Sequence, residues 1–251
     1  MTVEWRPDDR QFHLHNGHLS LVLCVYEDGS LGALHFGAPL PAGRSYRHLG
    51  PAFAGFDEHV GDPVPFAYPT RGLGDHRVPG LVAVGPDGTG AVALRHTGHA
   101  IAAGKPGLEG LPATYVETDD EADTLTVTLA DPVTGLEADL RFTIFADRPT
   151  IARSATIRAT TTAITLETAM SLVLDLPDAD WTAVHLAGAW AREAHVAETP
   201  LRPGRVGIAS TRGASGAEHN PFLALRRPST DETAGEAIGC SFVYSARKLP
   251  E

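Results

Sequence analysis

The chain has 251 residues, with 20 Lys and Arg against 31 Asp and Glu, and a formal net charge of −11. That length suits one large all-β domain or two small ones, and a hydrophobic share of 43% supplies material for a packed core. The acidic excess argues against a nucleic-acid partner, which requires a basic stripe to displace counterions, and no run of about 18 apolar residues marks a membrane span. The opening Met1-Thr-Val-Glu-Trp-Arg lacks the basic-then-apolar profile of a secretory leader, so the expectation is a cytoplasmic protein.

In chain order, Leu19–Tyr26 and Leu31–Phe36 are extended-type runs, and Asp28-Gly29 between them is a turn signal. Ala38–Pro79 follows, rich in Pro and Gly but also in aromatics: Tyr46, Phe53, Phe56, Phe66 and Tyr68. Loops of that length in a compact domain are usually functional or disordered. The aromatics predict a loop with an exposed, partner-facing surface. The stretch Gly85-Pro-Asp-Gly-Thr-Gly90 reads as a hairpin loop, not a phosphate cradle, since no Lys-Ser/Thr and helix follow. Leu125-Thr-Val-Thr-Leu alternates, and Val133-Thr-Gly-Leu turns the chain into Leu136–Phe145. Thr150–Arg158 alternates again, placing successive side chains on opposite faces. Thr161–Leu176, with its Thr, Ile and Val, reads as strand, and Thr199–Pro221 is a second irregular stretch. No segment sustains a helical period, so the sum is an all-β chain of stacked antiparallel sheets. Cys24 and Cys240 each sit in an apolar strand-like stretch and are expected to be buried free thiols.

The candidate chemistry is sparse. Asp119-Asp120-Glu121 is a carboxylate cluster that precedes a strand and reads as a solvated turn. Among twelve histidines, His13 and His15 alternate within a strand, and His96 and His99 flank a predicted turn. Without a Cys partner or a His-Glu-x-x-His pattern, no metal and no other cofactor is expected. Ser215 in Gly213-Ala-Ser-Gly has no nucleophile elbow around it. Trp190 in Gly188-Ala-Trp is either a packed core residue or a ring that lines a pocket. Asp75 and Arg77 either bind a ligand's hydroxyls or pin the end of the long loop by a charge-assisted pair, the second being preferred.

Four strings carry a family resemblance: Tyr68-Pro-Thr-Arg-Gly-Leu-Gly-Asp-His-Arg77, Lys105-Pro-Gly-Leu-Glu-Gly-Leu-Pro-Ala-Thr-Tyr-Val-Glu117, Leu186-Ala-Gly-Ala-Trp-Ala-Arg-Glu193 and Ser210-Thr-Arg-Gly-Ala-Ser-Gly-Ala-Glu-His-Asn-Pro-Phe222. In order and spacing they resemble the amino-terminal domain of family-36 α-galactosidases, from about Val3 to Ser245. The resemblance implies a β-supersandwich of the galactose mutarotase-like kind over residues 1–245, preceding a (β/α)8 barrel that carries both catalytic carboxylates. Residues 246–251 form a divergent tail, and the barrel is expected to be absent. The resemblance further implies that Trp190, Asp75, Arg77 and Phe53 shape the substrate pocket of the complete enzyme. The implied partners are that barrel, neighbouring subunits and a small α-galactoside. It departs from the family at Arg71 and His76, where an aromatic is usual. A free-standing carbohydrate-binding module and an aldose mutarotase-like enzyme are the alternatives, since fold does not fix function.

Overall fold

The computed structural model describes residues 2–51, 64–108, 110, 113–177, 180–210 and 217–243. Among these the regular structure is strand, interrupted by short 3-10 turns at Arg47–Leu49, Arg71–Leu73 and Asp119–Glu121. No helix among the described residues is long and apolar enough to cross a membrane. The chain divides into two compact units, residues 1–106 with 115–176, and residues 107–114 with 177–251.

The first unit opens with a meander of β1 (Thr2–Arg6), β2 (Gln11–His15), β3 (Ser20–Val25) and β4 (Leu31–Gly37), antiparallel in that order. Its turns follow from local chemistry. The Asn16 side-chain oxygen accepts hydrogen bonds from the His18 and Leu19 amides at 2.9 and 3.0 Å, and Gly17 takes φ of 82°. Asp28 accepts from the Ser30 amide at 3.0 Å beside Gly29, whose φ is 88°. Both are Asx turns closed by a residue free to enter the left-handed region.

A second meander holds β6 (Arg95–Ala103), β7 (Ala122–Asp131), β8 (Leu136–Phe145) and β9 (Ile151–Ala159). The short β5 (Leu81–Val84) pairs with β10 (Thr165–Ala169). Period-2 alternation sorts the residues. Leu136, Ala138, Leu140, Phe142 and Ile144 of β8 are buried, and so are Leu125, Val127 and Leu129 of β7. They join Phe12, Leu14, Leu21, Leu23 and Val25 of the first sheet and Leu81 and Ala83 of β5 in one apolar core. The hairpin at Val133 is real, with Gly135 at φ of 68° and its amide on the Asp131 carbonyl. The Thr161–Leu176 stretch contributes only the five residues of β10, less than its composition predicts.

The long Ala38–Pro79 stretch differs from expectation. Residues 38–50 form a strap over the polar face of the first sheet. The Leu40 amide donates to Ser20 Oγ, the Gly43 amide to Glu4 Oε2 and the Tyr46 amide to Gln11 Oε1, while Gln11 Nε2 donates to the Arg44 carbonyl. Tyr46, Phe66 and Tyr68 are buried, so the exposed aromatic surface predicted for this stretch is not found at these three. Phe53 and Phe56 lie outside the described residues.

The second unit is one antiparallel sheet of β11 (Thr182–Ala189), β12 (Arg192–Pro200), β13 (His219–Arg226) and β14 (Ala237–Ser241), in the order β12-β11-β13-β14. Both cysteines are free; Cys24 in β3 is buried, whereas Cys240 in β14 is only half-buried. Burial pushes both thiols up from the ordinary range.

Phe142 is 2% exposed at the centre of this core, so Phe142→Ala should cost about 3–5 kcal/mol through lost contacts and a residual cavity. Val133, 89% exposed at the hairpin tip, should tolerate Ala within about 0.5 kcal/mol. Urea unfolding of the two variants measures the contrast.

Candidate functional site

The Tyr68–Arg77 string builds a rigid corner. Gly72 lies against the Val92 backbone, where a Cβ would stand 2.5 Å from the carbonyl oxygen. Gly74 ends the 3-10 turn at φ of 79°, a conformation that favours glycine. This delivers Asp75 into the interior, 3% exposed, where its carboxylate accepts from the Arg77 amide, Nε and Nη2 at 2.9, 3.0 and 2.9 Å. Arg77 also donates through Nη1 to Asp175 at 3.1 Å and through Nη2 to the Val64 carbonyl at 2.7 Å. Its hydrogen bonds to Asp75 hold the guanidinium even more firmly in its charged form than usual. The preferred sequence reading, a pair that pins the loop, describes this geometry.

A second guanidinium reinforces the corner from β9. Arg153 donates through Nη1 to the Val173 carbonyl at 2.7 Å and through Nη2 to the Ala67 carbonyl. Its planar group stands 4.9 Å from the Phe142 ring centre and 5.9 Å from that of Tyr68. Burial pushes its pKa down to about 10, yet the group stays charged at neutral pH. Sequence alternation marks Arg153 only as a strand residue, because its partners lie 20 and 86 positions away.

Trp190 lies in the second unit, at the tip of the β11–β12 hairpin, where Ala189 pairs with Arg192. Ala191 takes φ of 62° and its amide donates to Glu193 Oε1 at 2.9 Å. Gly188 sits where the strand irregularity brings backbone close, since a Cβ there would stand 2.3 Å from the Arg192 carbonyl oxygen. Trp190 is 91% exposed and is therefore not a core residue. Phe53, the remaining sequence candidate, lies outside the described residues.

Asp119-Asp120-Glu121 forms an exposed 3-10 turn with a capping box, Glu121 accepting from the Thr118 amide at 3.2 Å. The Glu121 carboxylate serves the local backbone. His96 and His99 do not flank a turn; both lie within β6, and their rings contact Phe12. Glu4, His13 and His15 do come together, with one donor atom from each lying within 4.8 Å of the others.

Comparison with known proteins spans these strings. The pattern described as the glycosyl hydrolase family 36 N-terminal domain matches residues 29–248. The chain belongs to glycosyl hydrolase family 36. Among its family-36 relatives, α-galactosidase AgaA of Geobacillus stearothermophilus is 36% identical over 260 residues, covering 100% of this chain and 36% of the relative. α-Galactosidase 1 of Pediococcus pentosaceus is 36% identical over 247 residues, covering 94% of this chain and 34% of the relative. The crystal structure of the family-36 α-galactosidase AgaB from G. stearothermophilus superposes with a TM-score of 0.90 at 37% identity, covering 98% of this chain and 35% of that one. A doubly substituted AgaA in complex with raffinose superposes with a TM-score of 0.88 at 36% identity, covering 94% and 34%. The chain thus spans about a third of the length of the curated relatives it matches. In this family-36 chain, then, the Tyr68–Arg77 string is tied to turn geometry and buried hydrogen bonds.

Arg77→Ala leaves the buried Asp75 carboxylate without its charged partner and should lower stability by roughly 2–3 kcal/mol. Water replaces part of the lost hydrogen bonding, because the Arg77 side chain is 42% exposed. Trp190→Ala should change stability by no more than about 0.5 kcal/mol. Thermal unfolding at neutral pH distinguishes the two.

Proposed function

We propose that this chain serves as the non-catalytic amino-terminal β-supersandwich, residues 1–245, of an α-galactosidase acting on terminal α-galactosides. The observation that carries this reading is that relatives named α-galactosidases match the chain almost end to end while extending to about three times its matched length. In this reading a (β/α)8 barrel supplies the nucleophile and the acid/base carboxyl of retaining hydrolysis, which must face each other about 5 Å apart across the scissile bond. This domain supplies scaffold and pocket wall, with Trp190, Asp75, Arg77 and Phe53 shaping the pocket. Its partners are the barrel and neighbouring subunits, and its compartment is the cytoplasm.

The chemistry of the described residues supports this division. Asp75 is fully engaged with Arg77, and Glu121 caps its own turn, so neither carboxylate is poised to attack an anomeric carbon. An exposed Trp at a hairpin tip, by contrast, has a free face that suits either a sugar ring or a neighbouring protein surface. That same observation favours a second reading, a free-standing carbohydrate-binding module.

The purified chain should show no hydrolysis of a chromogenic α-galactoside, a deficit of many powers of ten against an intact enzyme. Calorimetric titration with raffinose should likewise show no saturable binding. Turnover that persists after removal of contaminating glycosidases would contradict the proposal. Raffinose binding abolished by Trp190→Ala would establish the binding-module reading instead.

A further inference from the structure

The first sheet has two faces of opposite character. Odd and even positions of β2 separate Phe12 and Leu14, which enter the core, from Gln11, His13 and His15 on the other side. The β1–β2 register sets Glu4 directly opposite His13, with His15 two residues further along the same face. The strap of residues 38–50 covers this face, and the Tyr46 ring packs edge-on against His13 at 5.4 Å.

Two features of this group remain unexplained by packing. His13 has no exposed surface, its Nε2 is hydrogen-bonded to Ser20 Oγ at 2.9 Å, and its Nδ1 is buried with no hydrogen-bond partner. An unpartnered ring nitrogen is costly in a buried position. Beside it, His15 Nε2 stands 3.3 Å from Glu4 Oε1, and one donor atom from each of the three residues lies within 4.8 Å of the others.

We infer that Glu4, His13 and His15 form a binding site for a divalent transition-metal ion of the zinc class, clasping β1, β2 and the strap. Two imidazoles and one carboxylate are a donor set suited to zinc, with a fourth position left for water or another ligand. Nitrogen and oxygen donors bonded at about 2.0–2.1 Å to one tetrahedral ion stand about 3.3–3.4 Å apart, which is the spacing of His15 Nε2 from Glu4 Oε1. The His13 donor closes the remaining distance by a side-chain shift on the order of 1–1.5 Å, set by the same bond lengths.

The surrounding hydrogen bonds support that role. Keeping the Ser20 contact leaves Nδ1 as the His13 donor, with Nε2–H donating to Ser20 Oγ. That oxygen already accepts from the Leu40 amide at 2.9 Å, and its second lone pair serves the imidazole. The Gly43 amide on Glu4 Oε2 at 3.0 Å leaves Oε1 to face the ion. Such outer partners orient metal ligands and raise their affinity. Glu4 and His15 are partly exposed, 25% and 19% by side chain, and give the ion its entry. The expected gain is mechanical, because Glu4 carries the strap through Gly43.

Chelator-treated protein titrated calorimetrically with zinc chloride at pH 7 should reveal one saturable site, and the thermal midpoint should rise with zinc. Cobalt(II) should give the visible absorption of a tetrahedral ion. His15→Ala and Glu4→Gln, both at partly exposed positions, should each weaken zinc at least tenfold while leaving the far-ultraviolet dichroism unchanged. Ser20→Ala should weaken it ten- to a hundredfold. Absence of a saturable site in the parent chain would overturn the inference. So would zinc affinity retained within threefold in either His15→Ala or Glu4→Gln.

Discussion

Two buried or half-buried guanidinium groups hold the first unit's irregular segments in place, Arg153 to a sheet and Arg77 to one another. Arg153 projects from β9 among aromatic rings, and among the described residues no carboxylate pairs with it. It gives its hydrogen bonds to two carbonyls, Ala67 and Val173, that lie in separate irregular segments. Arg77 repeats the pattern a few residues away with Val64, Asp75 and Asp175. Irregular backbone near a core carries carbonyls that helices and sheets would otherwise satisfy. Arginine, with five donors in a fixed fork, can satisfy several of them at once. The segment that ends in Asp75 is therefore held from both sides.

That arrangement explains why a string which looks like a functional motif is so exacting in sequence. Gly72 is required by the approach of the Val92 backbone and Gly74 by its left-handed conformation. Asp75 is required because Arg77 would otherwise lack its principal anion, and Tyr68 because it stacks beside Arg153. Among the described residues of the second unit, Trp190, Val196, Phe242 and Val243 are exposed.

Much of this fold is legible in the sequence. Alternation in Leu125–Leu129 and Leu136–Phe145, and the turn residues at Asp28-Gly29 and Val133-Thr-Gly, report the β7–β8 and β3–β4 hairpins directly, because the signal and the structure are both local. The strap of residues 38–50 is not legible. Its anchors, Ser20, Glu4 and Gln11, lie 20 to 39 positions away, and nothing in a Pro- and Gly-rich segment indicates that its amides will find them. For the same reason Tyr46 and Phe66 read as exposed aromatics when they are buried. The alternation of His13 and His15 is visible in β2, but the presence of Glu4 opposite them depends on hairpin register, which the Pro7–Arg10 turn sets. Trp190 shows the converse limit: composition cannot tell a core tryptophan from one at a hairpin tip, and the irregularity at Gly188 decides it.

Hydrogen–deuterium exchange on Arg153→Met tests most directly whether the Tyr68–Arg77 string is scaffold held by buried guanidinium donors. Methionine keeps much of the volume beside Phe142 and Tyr68 and removes every donor. The account predicts that amides of residues 64–77 exchange markedly faster in the variant, while those of β7 and β8 stay as protected as in the parent chain. Unchanged protection of residues 64–77 in a variant that folds normally would contradict it.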